Sequence, residues 1–214
     1  MQPKPVTRRT FLKTAGLTLA AVTVTCSGLG VAATLQPSID LVDNSYGENN
    51  MNNPRILVTY ATRAGSTAEV AAAIGETLGK RGFTVDVRPV KENPNVNDYQ
   101  AVIMGSAIRM GSWLPEAMEF VKNNQAALAG KQTALFCVHM LNDGEDEAGR
   151  SARLSYLNAV RGLLNGAEEA YFTGKFDFSR LSFLDRMISK MVKAVEGDHR
   201  DWNKINAWAN TLLA

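Results

Sequence analysis

Short apolar runs alternate with amphipathic segments from Pro54 to the end of the chain. The runs are rich in β-branched residues and bounded by turn residues, as expected of buried parallel strands. They cover residues 55–60, 83–87, 101–105, 133–138 and 170–173. Apolar residues at helical spacing lie over 66–81, from near Pro115, over 154–164 and from about Asp201. This alternation predicts an α/β fold with a doubly wound, five-stranded parallel sheet. The link between the second and third strands has only about a dozen residues, so we expect a single helical turn there.

The first 35 residues follow another pattern. Arg8 and Arg9 precede Phe-Leu-Lys, and an uncharged stretch from 14 to 39 follows. This layout resembles the twin-arginine export signal. It predicts export by the twin-arginine route, or anchoring at the outer face of the cytoplasmic membrane, because the uncharged stretch is long enough to span a bilayer. Residues 36–53 are polar and predict a flexible tether, which leaves 54–214 as the folded domain.

The charge balance argues against a nucleic-acid partner. The 214 residues include 23 basic and 21 acidic ones, and four of the basic ones lie in the acid-free leader. The remainder is therefore close to neutral and lacks the basic face that phosphate backbones require. The two cysteines, Cys26 and Cys137, both lie in apolar stretches, which excludes a disulfide scaffold and a thiolate metal site. We predict no metal.

The loop that leaves the first strand carries the candidate chemistry. It runs from Thr59 to Thr67 and combines short hydroxyl side chains with Gly65, just where a helix begins. Unpaired N–H groups and the dipole at a helix start favour an anion. The loop lacks both the lysine of a P-loop and the three-glycine dinucleotide fingerprint. It therefore predicts a site for one phosphomonoester, held without metal.

This loop resembles the phosphate loop of flavodoxins, with Tyr60, Thr62, Gly65 and Thr67 at matching positions. The resemblance implies a flavodoxin-like sheet of order 2-1-3-4-5 and FMN as cofactor. Two positions depart from the flavodoxin electron carriers, since Ala64 replaces a hydroxyl residue and Ser66 an asparagine, and both changes favour weaker FMN binding. Arg63 is an added charge.

A closer resemblance is to the menaquinone-dependent protoporphyrinogen dehydrogenases. The Thr-Arg-x-Gly-x-Thr form of the loop, residues 105–111, Glu119-Phe-Val121 and the stretch 183–202 carry it. It implies oxidation of a porphyrinogen, with electrons passed through the flavin to a quinone. An export signal conflicts with a role in haem synthesis, which is expected inside the cell.

The flavin ring requires a flat slot lined by the loops after the third and fourth strands. Trp113 is expected to stack on the ring or to pack at a helix start. Arg109 is expected to hold a negative charge near the reduced ring or on a substrate, or to be a solvated loop charge. The predicted FMN-binding residues are Thr62, Arg63, Ala64, Gly65, Ser66, Thr67, Ser106, Ala107, Ile108, Arg109, Gly111, Trp113, His139, Met140, Leu141, Asn142, Asp143 and Gly144. Gly105 and Gly111 would let the backbone approach the ring closely.

No catalytic acid or base stands out. His139 ends the fourth strand and faces the expected site, but a lone histidine is more often structural than a proton donor. The acidic run from Asp143 to Glu147 lacks calcium-loop spacing and is interpreted as a solvated loop. The serines lack a Gly-x-Ser-x-Gly context, so hydrolase chemistry has no support.

Residues 180–195 form a basic amphipathic helix in the sequence pattern. It is expected either to contact a membrane surface or quinone, or to pack on the sheet or a second copy of the chain. The sequence thus leaves three hypotheses: a quinone-linked flavin dehydrogenase, an electron carrier outside the cytoplasm that works with a redox protein, and a flavin-free binding module.

Overall fold

The computed structural model describes residues 39, 41–48, 53–164, 166–191 and 195–213. The described chain divides into two units: residues 181–191, and all the others, which we call the sheet domain. The predicted leader, with Cys26, lies outside the described residues.

The sheet domain is built on a mostly parallel sheet in the order β1-β3-β2-β4-β6-β7, with β5 paired to β4 and a separate β8-β9 pair. Its strands are β1 (Asn44–Tyr46), β2 (Arg55–Ala61), β3 (Thr84–Pro89), β4 (Ala101–Arg109), β5 (Ser112–Trp113), β6 (Gln132–His139), β7 (Glu168–Thr173), β8 (Lys175–Phe176) and β9 (Gly197–Asp198). The parallel strands β2, β3, β4, β6 and β7 follow the order 2-1-3-4-5, which confirms the predicted fold class.

Helices cover both faces of this sheet. They are α1 (Ser66–Lys80), α2 (Pro115–Leu128), α3 (Glu147–Ser155), α4 (Asn158–Arg161) and α6 (Trp202–Thr211). The second unit contains a helix of its own, α5 (Phe183–Met191). The link between β3 and β4 contains two short 3₁₀ turns, Val90–Glu92 and Val96–Asp98, where one helical turn was expected. Pro94 stands between them and cannot donate the backbone hydrogen bond that a continuous helix needs.

Two buried clusters fill the space between the sheet and its helices. Ile56, Val58 and Tyr60 alternate along β2 toward the cluster that contains α1 and α6. Leu57 and Ala61 point to the opposite cluster, with α2. Because burial of a large aliphatic side chain contributes about 2 kcal/mol, these two faces fix the register of the central strand.

Strand β1 forms within the stretch whose composition predicted a tether. It pairs antiparallel with β3, and Ser45 Oγ donates to Asp86 at 2.5 Å. Tyr46 lies over helix α1 at two glycines; a Cβ on Gly79 would be 2.8 Å from Tyr46 Cβ, and one on Gly75 would be 3.1 Å from its ring. The glycines thus make room for a strand that the polar composition of residues 44–46 did not indicate.

The unit 181–191 contains helix α5, which lies inside the predicted amphipathic segment 180–195. Ser182 begins it, with its hydroxyl accepting from Asp185 N at 3.1 Å and donating to the Asp185 carboxylate at 2.9 Å. The Ser182 hydroxyl thus caps the first turn of the helix. Across the part of the chain that the structure describes, no helix has both the length and the apolar character to span a membrane.

Candidate functional site

Three loops follow neighbouring parallel strands and meet at the carboxyl edge of the sheet. Ala61 of β2 is in register with Ser106 of β4, and Ala107 of β4 with Val138 of β6. The loop after β2 (residues 62–67, the phosphate loop), the hairpin after β4 and the loop after β6 therefore begin side by side. In this class of sheet, ligands bind at such an edge, where the strand order reverses.

The phosphate loop is shaped by Thr62 and Gly65. Gly65 has φ +88° and precedes the first residue of helix α1. The hydroxyl of Thr62 accepts a hydrogen bond from Gly65 N at 3.0 Å, and Thr62 itself is buried. The left-handed backbone is accessible to glycine without steric cost, so the loop turns abruptly into the helix. The first N–H groups of α1 therefore face the carboxyl edge without helical partners.

Thr67 is the most informative residue of the loop. It is 1% exposed, and its Oγ1 has no hydrogen-bond partner in the described part of the chain. A buried hydroxyl without a partner costs about 1–3 kcal/mol, and such groups are rare in folded proteins. Its place in the first turn of α1 is where an anion held by the helix start would accept from it.

Ser66 is held from the other side. Its Oγ accepts a hydrogen bond from the backbone N–H of Lys175 at 2.9 Å, which leaves the hydroxyl proton able to donate. A Cβ on Gly174 would lie 3.2 Å from Ser66 Oγ and 3.3 Å from Met140 Sδ. Gly174 therefore lets the phosphate loop and the loop after β6 come together, a role that the sequence analysis missed because neither contact is local.

Two arginines near the loop behave differently from the sequence expectation. Arg63, predicted to bind the cofactor, instead forms an ion pair with Glu116 of helix α2, with Nη1 to Oε1 at 2.7 Å. Arg180, which the sequence placed only in the amphipathic segment, lies over the loop with Nη1 3.4 Å from the carbonyl oxygen of Ala64. The fold therefore brings a second cation to the loop, one that adjacency in sequence did not indicate.

The loop after β4 is a β-hairpin. Arg109 pairs with Ser112 across a two-residue turn in which Met110 has φ +53° and Gly111 φ +77°. Ala107 and Ile108 are half-buried against the second cluster, whereas Arg109 and Gly111 are exposed. Met110, at the tip, is 97% exposed. The hairpin thus presents Arg109 and Met110 at the carboxyl edge.

Ser106 and Trp113 form the base of this hairpin rather than a surface. Ser106 is fully buried, and its Oγ donates to Ala107 O and accepts from Leu114 N, both at 2.9 Å. Trp113 is 4% exposed and belongs to the second cluster at the start of α2. Of the two expectations for Trp113, packing at the helix start matches its position.

Gly105 has a different use from the one expected. A Cβ at this position would overlap the ring of Phe136 on the neighbouring strand. The close approach that Gly105 permits is therefore made by a core aromatic side chain and not by a bound ring.

The loop after β6 is fixed from within. His139 is 3% exposed, and its Nδ1 lies 2.8 Å from Leu141 O. Burial lowers the pKa of His139 below its usual value, so the imidazole is neutral at neutral pH. The amide of Asn142, at φ +62°, donates to the Tyr156 hydroxyl at 2.7 Å. These contacts favour the structural interpretation of His139.

The rest of this loop is mostly exposed. Leu141 is 67% exposed, Asp143 and Gly144 are also exposed, and Met140 is half-buried. Arg153 of α3 donates to the carbonyl of Gly144 at 2.6 Å, and Asp146 caps α3 by accepting from Gly149 N at 3.0 Å. The carbonyls and the acidic run are thereby organised by helix α3. Within the residues that the structure describes, no cluster of histidine, cysteine or acidic side chains has the makeup of a metal site.

The chain is similar to known proteins over most of the sheet domain. A family model described as "Flavodoxin domain" matches residues 57–203. The protoporphyrinogen IX dehydrogenase [quinone] of Escherichia coli K12 is 26% identical over 156 residues, which cover 70% of this chain and 84% of that protein. The Leishmania major protein of the same name is 24% identical over 160 residues, covering 71% of this chain and 68% of its own length.

One solved structure that resembles the chain is a flavodoxin of Fusobacterium nucleatum bound to flavin mononucleotide. It is 14% identical, covers 73% of this chain and 95% of its own, and superposes with a TM-score of 0.47.

Proposed function

This chain belongs to the flavodoxin domain family, and we propose that it binds FMN and acts as a quinone-linked oxidoreductase resembling protoporphyrinogen IX dehydrogenase. The observation that carries the proposal is the hydroxyl of Thr67, which is buried at the start of α1 and lacks a partner among the described residues. A phosphate group in the loop supplies the missing acceptor, so the residues present fit this part of FMN.

The phosphate would be held by donors that point to the carboxyl edge. These are the hydroxyls of Ser66 and Thr67 and the first backbone N–H groups of α1, with Gly65 and the buried Thr62 setting the turn. All are neutral donors, and the helix dipole adds to their attraction for an anion. Arg63 adds less to the attraction for the phosphate than its sequence position implies, because Glu116 neutralises its charge.

The ring would lie between the hairpin after β4 and the loop after β6. Bound FMN supplies the redox chemistry, accepting electrons from a donor and passing them to an acceptor. The chain itself would position the ring through the backbone around Arg109 and Gly111 on one side and residues 140–144 on the other. His139 holds its own loop through Leu141, so we assign it no proton transfer.

The dehydrogenase proposal is tested with the purified full chain under anaerobic conditions. Protoporphyrinogen IX is supplied with a soluble menaquinone analogue, and the fluorescence of the porphyrin product is followed. The proposal predicts product formation that needs both FMN and quinone. A rate equal to the spontaneous oxidation without protein would contradict it.

A non-enzymatic electron carrier is the second candidate. It is favoured by the contact of His139 with Leu141 O in its own loop, because we then assign no acid or base at the carboxyl edge of the sheet. Stepwise chemical reduction of the FMN-loaded protein separates the two functions by absorption spectroscopy. A carrier takes up its electrons in two resolved stages, whereas the proposed two-electron dehydrogenase does so in one.

Localisation and membrane contact are further parts of the proposal. We propose that residues 1–35 direct export by the twin-arginine route or anchor the chain, and that segment 180–195 contacts a membrane surface where quinone is reached. Replacing Arg8 and Arg9 by lysine should abolish export while leaving the protein in the cell. Unchanged export of that variant would contradict the proposed export signal. Failure of the wild type to bind anionic liposomes would contradict the proposed membrane contact of segment 180–195.

A further inference from the structure

The guanidinium of Arg180 lies against the backbone of the phosphate loop. Its Nη1 is 2.9 Å from the position that a Cβ on Gly65 would take and 3.4 Å from Ala64 O. Arg180 is the last residue of a 3₁₀ turn, Phe178–Arg180, between the last parallel strand and helix α6. A positive charge from a distant part of the sequence is thus brought to the helix start.

The same guanidinium shares a carboxylate with a second arginine. Glu69, in the first turn of α1, receives Arg180 Nη1 on Oε1 at 3.1 Å and Arg200 Nη1 on Oε2. Burial raises the pKa of Glu69, but the hydrogen bonds from Arg200 and Arg180 outweigh it and lower the pKa below its usual value. Glu69 is therefore an anion at neutral pH, next to the loop in which we propose a phosphate.

The two arginines are held unequally. The side chain of Arg200 is only 5% exposed, and it donates to both carboxylate oxygens of Asp198 at 2.7 and 2.6 Å. It also lies 4.5 Å from the ring centre of Trp202. Arg180 is 40% exposed, and its other acidic contact, with Asp177, is 3.8 Å. Loss of the Glu69 contact would therefore free Arg180 while Arg200 kept its position.

We infer that Arg180 is a phosphate-binding residue that exchanges partners when the cofactor binds. Without a phosphate, Glu69 is its counter-ion. With FMN in the phosphate loop, the guanidinium turns its donors to the phosphate, and Glu69 stays neutralised by Arg200. A planar guanidinium suits two phosphate oxygens at once, and Glu69 would repel the dianion if no cation stood between them. This inference rests on the proposed function.

The inference makes Arg180 a determinant of selectivity for the phosphate-bearing flavin. Riboflavin has the same ring and no phosphate, so it gains nothing from Arg180. A residue that merely held the loop in shape would affect both flavins alike. The ratio of the two affinities therefore separates phosphate binding from a structural role.

The experiment measures dissociation constants of FMN and riboflavin for the full chain by quenching of flavin fluorescence. Arg180→Gln is expected to weaken FMN about tenfold and leave riboflavin unchanged, since a charge-assisted hydrogen bond at a partly exposed site contributes at the lower end of its range. The FMN affinity of Arg180→Lys should lie between those of the wild type and Arg180→Gln, because lysine keeps the charge but lacks the paired N–H donors of the guanidinium. Arg150→Gln, an exposed position on α3, is the charge-matched control and should bind as the wild type does.

Glu69→Gln is expected to change FMN affinity in the opposite direction. It removes the resident anion, so FMN binding should become several-fold tighter. The gain in FMN affinity from Glu69→Gln should be larger in the wild-type background than in the Arg180→Gln background. This is because the change releases Arg180, which only the wild-type background contains. Equal gains in both backgrounds would show that Glu69 acts on the phosphate without exchanging a partner, and would overturn the inference.

Inorganic phosphate distinguishes this inference from the proposed function. If the wild type is stabilised against heat by phosphate and Arg180→Gln is not, but neither binds FMN, the residue role stands and the proposed function fails. If FMN binds equally to the wild type and to Arg180→Gln, the proposed function stands and the inference fails. If Arg180→Gln loses FMN and riboflavin equally, Arg180 is structural. If neither phosphate nor FMN binds the wild type, both are overturned.

Discussion

Ser66 Oγ accepts a hydrogen bond from the backbone N–H of Lys175 at 2.9 Å, although 109 positions separate the two residues in sequence. The bond ties the first turn of helix α1 to the chain that leaves β7. It also fixes the orientation of the one hydroxyl that replaces the asparagine of flavodoxin electron carriers.

Ser66→Ala is predicted to lower the free energy of unfolding by about 1 kcal/mol, because it leaves the Lys175 N–H without a partner. The same change should weaken FMN binding, since one donor to the phosphate is lost. Urea unfolding and a flavin titration measure the two effects. Ser151→Ala, at an exposed position of α3, is the control and should show neither loss.

Thr67→Val is predicted to move stability and binding in opposite directions. Valine has nearly the same shape and removes a buried hydroxyl that has no partner in the described chain, so the flavin-free protein should gain about 1 kcal/mol. FMN affinity should fall about tenfold because the phosphate loses that donor.

Thr77→Val on the same helix is the matched control for this change. The Thr77 hydroxyl already donates to Ala73 O at 2.9 Å, so its removal should not stabilise the protein or alter FMN binding. A Thr67→Val protein that is less stable than the wild type would show that the hydroxyl has a partner after all.

The hairpin tip offers a prediction about strain. Met110 and Gly111 both have positive φ, the geometry of a type I′ turn, for which Asn-Gly is strongly preferred. Met110→Asn should therefore raise the free energy of unfolding by about 1 kcal/mol. Met110→Val, a β-branched residue, should lower it. Thermal unfolding of both variants measures the difference, and a destabilised Met110→Asn would mean that the methionine side chain itself stabilises the fold.

Acid sensitivity is predicted at Asp198. The side-chain hydrogen bonds from Arg200 lower the pKa of Asp198 to about 2, below its ordinary value of 3.8. A carboxylate with a depressed pKa stabilises the folded state above pH 4, and this contribution is lost as the pH falls toward 2. Asp198→Asn should therefore be less stable than the wild type at pH 6, and the gap should close between pH 4 and 2.

Urea unfolding at pH 6, 4 and 2 checks this dependence. The loss of unfolding free energy in Asp198→Asn should be modest, because the side chain of Asp198 is 43% exposed and solvent screens its pair with Arg200. Asp143→Asn, at an exposed position, is the charge-matched control and should leave stability at pH 6 unchanged. A gap that is the same at all three pH values would contradict the assignment to the Asp198–Arg200 pair.

Local sequence patterns predicted the parallel strands and the turn from the first strand into α1, and the resemblance to flavodoxins implied the strand order. These features depend on apolar periodicity and on the turn from Gly65 into α1, which are encoded over a few residues. Strand β1 was not predicted, because it is stabilised by distant partners such as Gly79 and Asp86.

Several contacts at the site also join residues that are distant in sequence. The hairpin after β4 carries Met-Gly where Asn-Gly would have indicated a turn, so the burial of Ser106 at its base was not foreseen. For Trp113, packing at the helix start was one of the two expectations. Arg180 reaches Ala64 across 116 positions of sequence, and no pattern near either residue indicates that contact. Arg63 was assigned to the cofactor from adjacency, and its ion pair with Glu116 of a different helix could not be predicted from the loop.

The proposed role of the phosphate loop is to bind FMN through its phosphate. Isothermal titration calorimetry of the full chain with FMN, and separately with riboflavin, measures this. One FMN should bind per chain, and riboflavin should bind at least about a hundredfold more weakly because it lacks the group that the loop holds. Equal binding of the two flavins, or no heat with FMN, would contradict it.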